Sequence, residues 1–319
     1  MLLIFSSTLS KKSFQLQLFV EEMKRRGLPC VVVDVHDIAT NTKFSIQHSN
    51  DGAFLFEDGQ KIISPQKVYV MNVWRTDSII RLPPDFDKPQ LIRNRVSQFV
   101  NDIRFIFEDC MWVPGRIEDI ERADSKMRLF KEAVSCGLNV PRFTIDSPHY
   151  DGKFGIPVYK KSLGYPFSIS YSKQKKKEVA VITTNLLVDK ESDSVGDGLL
   201  WQWQAPILSS KQIRCHVVGN KIWSVMWDRG VCGVEDYRHT SNIKNEVINW
   251  KPHSLPAEIS SQILKLMKNL SVCMASPEFL VDKNGDYILI DLNPCGDWYG
   301  FFSKIQRKEI LDSIIQLCC

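Results

Sequence analysis

The chain has 319 residues, is 44% hydrophobic and 24% charged, and carries a formal net charge of +4. That suits one large or two to three smaller globular domains with ample core. No apolar run reaches the length of a membrane-spanning helix, and so mild a charge permits an acidic partner without calling for nucleic acid. The nine cysteines are scattered, with no C-x-x-C and no zinc-spaced histidine pair, and read as free thiols of a reducing cytoplasm. Walker A, G-x-G-x-x-G, G-x-S-x-G and H-E-x-x-H are all missing, so several common enzyme classes lack their signatures.

In chain order, MLLIF reads as a first buried strand. Ser13 caps a helix with Phe14, Leu18, Phe19 and Met23 on one side, and Gly27 ends it. CVVVDV, 30–35, has the near-continuous apolar run of a buried parallel strand. AFLFEDGQKII is a hairpin around Asp58-Gly59. KVYVMNVW, 67–74, is a further strand that delivers Trp74, Arg75, Thr76 and Asp77 at its end, where open α/β sheets present ligand contacts. A helix over 88–109 follows, and MWVPG makes a break, with a domain boundary near 115. Asp124 or Ser125 caps a second helix, closed by Gly137, and NVPRFTI is a short strand. Residues 155–184 read as strand, long Ser- and Lys-containing loop, strand. From 200 the chain is β-rich, with a turn at Gly219-Asn220. An amphipathic helix at 256–272, a strand pair and a last helix at 303–317 complete it.

The strand pair is SPEFLV and DYILIDLNP, joined through DKNGD. Asn284-Gly285 is a strong signal for a two-residue type I′ turn. That turn predicts Lys283 facing Asp286, Val281 facing Ile288, Phe279 facing Ile290 and Glu278 facing Asp291. Alternation then places Ile288, Ile290 and Leu292 on the core face, and Leu289, Asp291 and Asn293 with Glu278 on the other. Two carboxylates directly opposite repel unless something neutralises them. Glu278, Asp291 and Asn293 form a hard-oxygen set that suits Mg²⁺, which takes one or two carboxylates and completes its shell with water and phosphate.

An acid on one strand and acid-x-Asn on the next resembles the magnesium site of ATP-grasp ligases. Other segments agree in order. RADSKMRLFKEAVSCGLNVPRFTI is similar to the family's central segment, with Lys126 as its lysine. PVYKKSLG resembles the strand carrying the nucleotide-phosphate lysine, at Lys160 or Lys161. WQWQAPI is similar to the hinge strand that packs on adenine, which makes Trp203 and Gln204 nucleotide-contact candidates. IRCHVVGNKIWSVMWD resembles the arginine hairpin, with Arg214 the phosphate-contacting residue. VWRTD and Asp236-Tyr237-Arg238 narrow the likeness to RimK-like, microviridin-type graspetide synthetases, with Arg238 a candidate for the acceptor carboxylate. The sequence departs from the pattern by exchanging Asp and Glu at the metal, and by Ala205 where the hinge often carries an acid.

The resemblance implies an α/β (α+β) ATP-grasp fold behind an N-terminal α/β domain. The expected domains are 1–115, 116–205 and 206–319, the last with the metal site. It implies ATP and Mg²⁺ as cofactors and a precursor peptide, leader plus acidic core, as substrate. No nucleic-acid or membrane partner is implied, and a homodimer is compatible. Two rival readings are a ligase that adds free amino acids to an acceptor, and a non-catalytic nucleotide- or peptide-binding relative.

Overall fold

The structure, a computed structural model, describes residues 1–6, 14–34, 43–62, 67–70, 89–146, 158–162, 167–170, 178–181, 185–187, 201–228 and 249–319. The first unit runs β1 (Leu2–Ser6), α1 (Phe14–Arg25), β2 (Cys30–Asp34), β3 (Phe44–Ser49), β4 (Gly52–Glu57), β5 (Gln60–Lys61), β6 (Lys67–Val70), α2 (Pro89–Ile106) and β7 (Met111–Val113). Its main sheet has the order β2-β1-β6-β7, all parallel. The segment read as a break at MWVPG is therefore its fourth strand: Met111 to Val113 pair with Lys67 to Tyr69. The run is too short for a periodic signal, and the proline behind it masks its strand character. The two faces of the sheet go different ways. Leu3, Phe5, Val68 and Val70 pack with Ile103, Phe107 and Trp112 in one core. Leu2, Ile4 and Tyr69 join a second. Strands β3, β4 and β5 form an antiparallel meander whose last turn is Asp58-Gly59, where a hairpin was expected, with both residues at positive φ (49° and 77°) as in a two-residue type I′ turn. Ser13 and Trp74 to Asp77 lie outside the described residues.

The middle of the chain holds α3 (Ile117–Asp124), α4 (Lys126–Ser135), β8 (Phe143–Asp146), β9 (Val158–Ser162), β10 (Phe167–Ser170), β11 (Glu178–Val181), β12 (Asn185–Leu187) and β13 (Trp201–Gln204). Helix α3 was not anticipated. Its signal is present in the sequence, since Ile117, Ile120 and Ala123 recur at helical spacing and are buried, and Glu118 and Asp119 suit a first turn. Ser125 is the N-cap residue of α4, although its side chain makes no capping bond. The region read as one long loop contains a strand: β10 pairs antiparallel with β11. The other four strands form a sheet ordered β12-β9-β13-β8.

The last unit comprises β14 (Ser209–Val218), β15 (Lys221–Asp228), β16 (Lys251–Pro252), α5 (Ala257–Asn269), β17 (Met274–Asp282), β18 (Tyr287–Asn293) and α6 (Lys304–Cys318). The sheet is antiparallel, ordered β16-β15-β14-β17-β18. One face carries Ile213, Cys215, Val217, Phe279, Leu289 and Leu292, and packs on Leu129, Phe130 and Ala133 of α4 and Ile263, Leu266 and Met267 of α5. Toward the other face, Val218, Val225 and Met274 share a core with Trp298, Phe302 and the apolar side of α6. No described helix is long and apolar enough to cross a membrane.

Candidate functional site

The site is built on the sheet face opposite α4 and α5. Alternation along β14 sends Ile213, Cys215 and Val217 into the core, so Gln212, Arg214 and His216 share the other face. Arg214 pairs in register with Glu278 of β17, and Glu278 with Asp291 of β18. The predicted opposition of the two carboxylates is therefore present.

The route to it differs from the one expected. The turn is a three-residue loop, Lys283 to Gly285, because the Asp282 N–H donates to the Asp286 carbonyl at 3.0 Å. The Asp282 carboxylate explains the extra residue. It accepts from the backbone N–H groups of Asn284 at 2.8 Å and Asp286 at 2.9 Å, and Gly285 takes the left-handed conformation (φ 88°) that closes the loop. Val281 accordingly faces Tyr287, and Phe279 faces Leu289, where Ile288 and Ile290 were expected. Leu289, placed on the polar face by simple alternation, is fully buried in the core. A bulge then intervenes at Ile290. Without it Leu289 and Asp291, two residues apart, would share a face. The extra residue turns Asp291 out of the core and restores its pairing with Glu278.

Each carboxylate is met by a cation. Arg214 Nη1 forms an ion pair with Glu278 Oε1, and Gln212 Nε2 donates to Glu278 Oε2 at 3.2 Å. Lys126, the first residue of α4, forms an ion pair with Asp291 Oδ1, which also accepts the Leu292 N–H at 2.9 Å. Asn293 is exposed, and its Oδ1 accepts the Cys295 N–H at 2.9 Å, which fixes the direction of the amide oxygen. His216 Nδ1 hydrogen-bonds Ser276 Oγ at 2.9 Å. Burial, then the charge of Arg214, lower the His216 pKa to about 3, so the ring is neutral near pH 7. Burial pushes the Cys215 thiol well up on the core side.

The remaining predicted residues are less fully placed. Lys160 and Lys161 lie on β9, in register with Trp203 and Gln202 of β13. Trp203 and Gln204 are buried, at 0% and 2% exposure. Arg238 lies outside the described residues. Gln212 and the segment after Asn293 are the contributors that reading the sequence missed. Gln212 was recoverable, because it stands two residues before Arg214 and so on the same face.

The donor set fits magnesium in its chemistry: two carboxylates and an amide oxygen on adjacent strands, hard oxygen ligands of the kind that ion takes together with water and phosphate. The flanking arginine and lysine suit a polyanion.

No protein-family model matches the sequence, and no curated protein matches it. Solved structures match from end to end. The macrocyclase MdnC from Microcystis aeruginosa MRC, bound with precursor peptide MdnA, superposes with a TM-score of 0.79 at 18% identity, covering 100% of this chain and 99% of that one. A Chryseobacterium gregarium RiPP-associated ATP-grasp ligase, in complex with ADP and a leader and core peptide, gives 0.79 at 19% identity, covering 100% and 96%. The ATP-grasp ligase PsnB, complexed with minimal precursor, Mg and ADP, gives 0.71 at 14% identity, covering 100% and 97%. The chain has the ATP-grasp fold over its whole length.

Proposed function

We propose that this chain is an ATP- and Mg²⁺-dependent ligase that forms side-chain ester or amide links in a ribosomal precursor peptide. The observation that carries the reading is the opposition of Glu278 and Asp291 with Arg214 and Lys126 paired to them, within a fold shared end to end with a peptide macrocyclase. The PsnB and C. gregarium complexes support nucleotide, magnesium and a peptide as ligands. ATP phosphorylates an Asp or Glu side chain of the peptide to an acyl phosphate. A Ser or Thr hydroxyl, or a Lys amine, then displaces phosphate. Negative charge builds up on the transferred group; Arg214 is assigned to answer it, and Lys126 to the nucleotide phosphates. Glu278, Asp291 and Asn293 would hold Mg²⁺, which would supply charge neutralisation to the phosphates. Lys160, Lys161, Trp203 and Gln204 are assigned to the nucleotide, and Arg238 to the acceptor carboxylate, from their places in the sequence pattern. The cysteines among the described residues are free, which fits the expected cytoplasmic setting.

The test is incubation with ATP, Mg²⁺ and a precursor peptide encoded beside this gene. A mass loss of about 18 Da per link, one water per condensation, with stoichiometric ADP, is expected. The pair Glu278→Gln and Asp291→Asn should abolish ADP release. Turnover with free glutamate and no change in the peptide would overturn the peptide assignment in favour of amino-acid addition. ATP binding without ADP release in either arm would overturn both and mark a non-catalytic binding protein.

A further inference from the structure

The segment between β18 and α6 is built onto the site at successive points. Gly296 packs so tightly on Ser276 that a Cβ there would collide with the Ser276 hydroxyl. The Asp297 carboxylate accepts the backbone N–H groups of Tyr299 at 2.7 Å and Gly300 at 3.3 Å, and accepts from the buried Gln15 side chain of α1. The Asp297 carbonyl accepts from Arg214 Nη2 at 3.4 Å. The ring of Phe301 then lies against the guanidinium, its centroid 3.9 Å from Arg214 Cζ.

These contacts divide the work of holding one side chain. A guanidinium donates hydrogen bonds only from its edge. Glu278 and the Asp297 carbonyl therefore hold the edge of Arg214, and an aromatic ring is what can hold its face and set its tilt. Phe301 is itself braced. Trp250 meets it edge-on at 5.5 Å between centroids, and Trp227 lies 6.0 Å beyond Trp250.

We propose that Phe301 is a positioning residue for Arg214, fixing the tilt at which the guanidinium meets the transferred phosphoryl group, with the Asp297 loop as its mount. The inference rests on the role given to Arg214 above. Asp297 and Gln15 make the N-terminal helix α1 part of the same mount.

The experiment compares wild type with Phe301→Leu, which keeps apolar volume, and Phe301→Tyr, which keeps the ring. Two measurements are made on each folded protein with Mg²⁺. One is the NMR signal of the Arg214 Nε–H, identified by its disappearance in Arg214→Lys. The other is the affinity for ADP, alone and with aluminium fluoride as a mimic of the transferring phosphoryl. Wild type is expected to show a ring-current-shifted arginine signal and tighter binding with the fluoride. Phe301→Leu should lose the shift and about tenfold of the fluoride-dependent increment, while its affinity for ADP alone is kept; Phe301→Tyr should restore both. An unshifted wild-type signal, or a Leu variant in which both affinities fall together, would overturn the proposal. A wild type that gains nothing from the fluoride overturns the role of Arg214 instead, and the arginine signal still decides whether Phe301 holds it.

Discussion

Arg214 and Glu278 face each other across β14 and β17 with side chains 6% and 14% exposed, whereas Lys126 reaches Asp291 from α4 with side chains 30% and 42% exposed. Both are ion pairs between a cation and a carboxylate of one site. Burial makes them different objects. In the first pair Arg214 is buried and Glu278 is largely shielded, so removing either partner leaves the other in a poorly solvated place. Gln212, the Asp297 carbonyl and the Phe301 ring add to its fixity. In the second pair water screens both charges, and little free energy depends on their meeting. One pair belongs to the architecture of the sheet, and the other contributes little to it.

The largest expected effect breaks the buried pair. Arg214→Met should cost roughly 3–5 kcal/mol in urea unfolding, because the largely shielded Glu278 is left without its counter-charge. A loss below about 1 kcal/mol would make the two pairs alike and remove the distinction. Next comes pH, through the buried neighbour of Arg214. The folded pKa of His216 is lowered to about 3 from an ordinary 6.5. Between those values the unfolded chain binds a proton that the folded chain refuses. Its contribution is thus complete above pH 6.5 and lost as the pH falls toward 3, with a slope approaching about 1.4 kcal/mol per pH unit. His216→Gln should flatten that share of the acid limb of a stability–pH curve, and an unchanged limb would show that the imidazole is hydrated.

Smaller effects belong to the exposed side. Asp282→Ala removes the side chain that shapes the loop before β18 and should cost about 1 kcal/mol, measured by the thermal midpoint. The Lys126→Met and Asp291→Asn double-mutant cycle should give a coupling of about 0.2–1 kcal/mol that shrinks as salt is raised. A salt-independent coupling would place this pair in the same class as Arg214 and Glu278.

Much of this arrangement was legible in the sequence, for reasons that can be located. Period-two patterning and the Asn-Gly dipeptide were enough to oppose Glu278 and Asp291. The agreement came through two offsets that cancel at Glu278: an extra residue at the turn and another at Ile290. The first had a readable cause, since an Asp at the head of the turn competes for the backbone N–H groups that a two-residue turn would arrange otherwise. The contrast with Asp58-Gly59, where a two-residue turn formed, shows that the residue two places ahead of the dipeptide matters as much as the dipeptide. The bulge had no local signal, because Leu289, Ile290 and Leu292 are equally apolar and only the tertiary demand to bury Leu289 and expose Asp291 selects it. Lys126 is 165 residues from Asp291 in sequence, so spacing alone could not pair them. The resemblance to ATP-grasp ligases supplied that lysine, and the full-length superpositions bear out the fold it implied.

One of the cores has a consequence for how the chain is made. Leu2, Ile4, Phe19 and Met23 share it with Ile310, Ile314 and Cys318 of α6, and Lys67 donates to the carbonyl of Leu317 at 2.9 Å. The core around β1 and α1 is thus completed by a helix that lies far later in the sequence. Until α6 leaves the ribosome, one side of the β1 sheet keeps its apolar surface open to solvent and to other nascent chains. Contacts of such long sequence separation form slowly. Synthesis should therefore expose this face for as long as the intervening residues take to emerge, which makes it the surface a chaperone would cover.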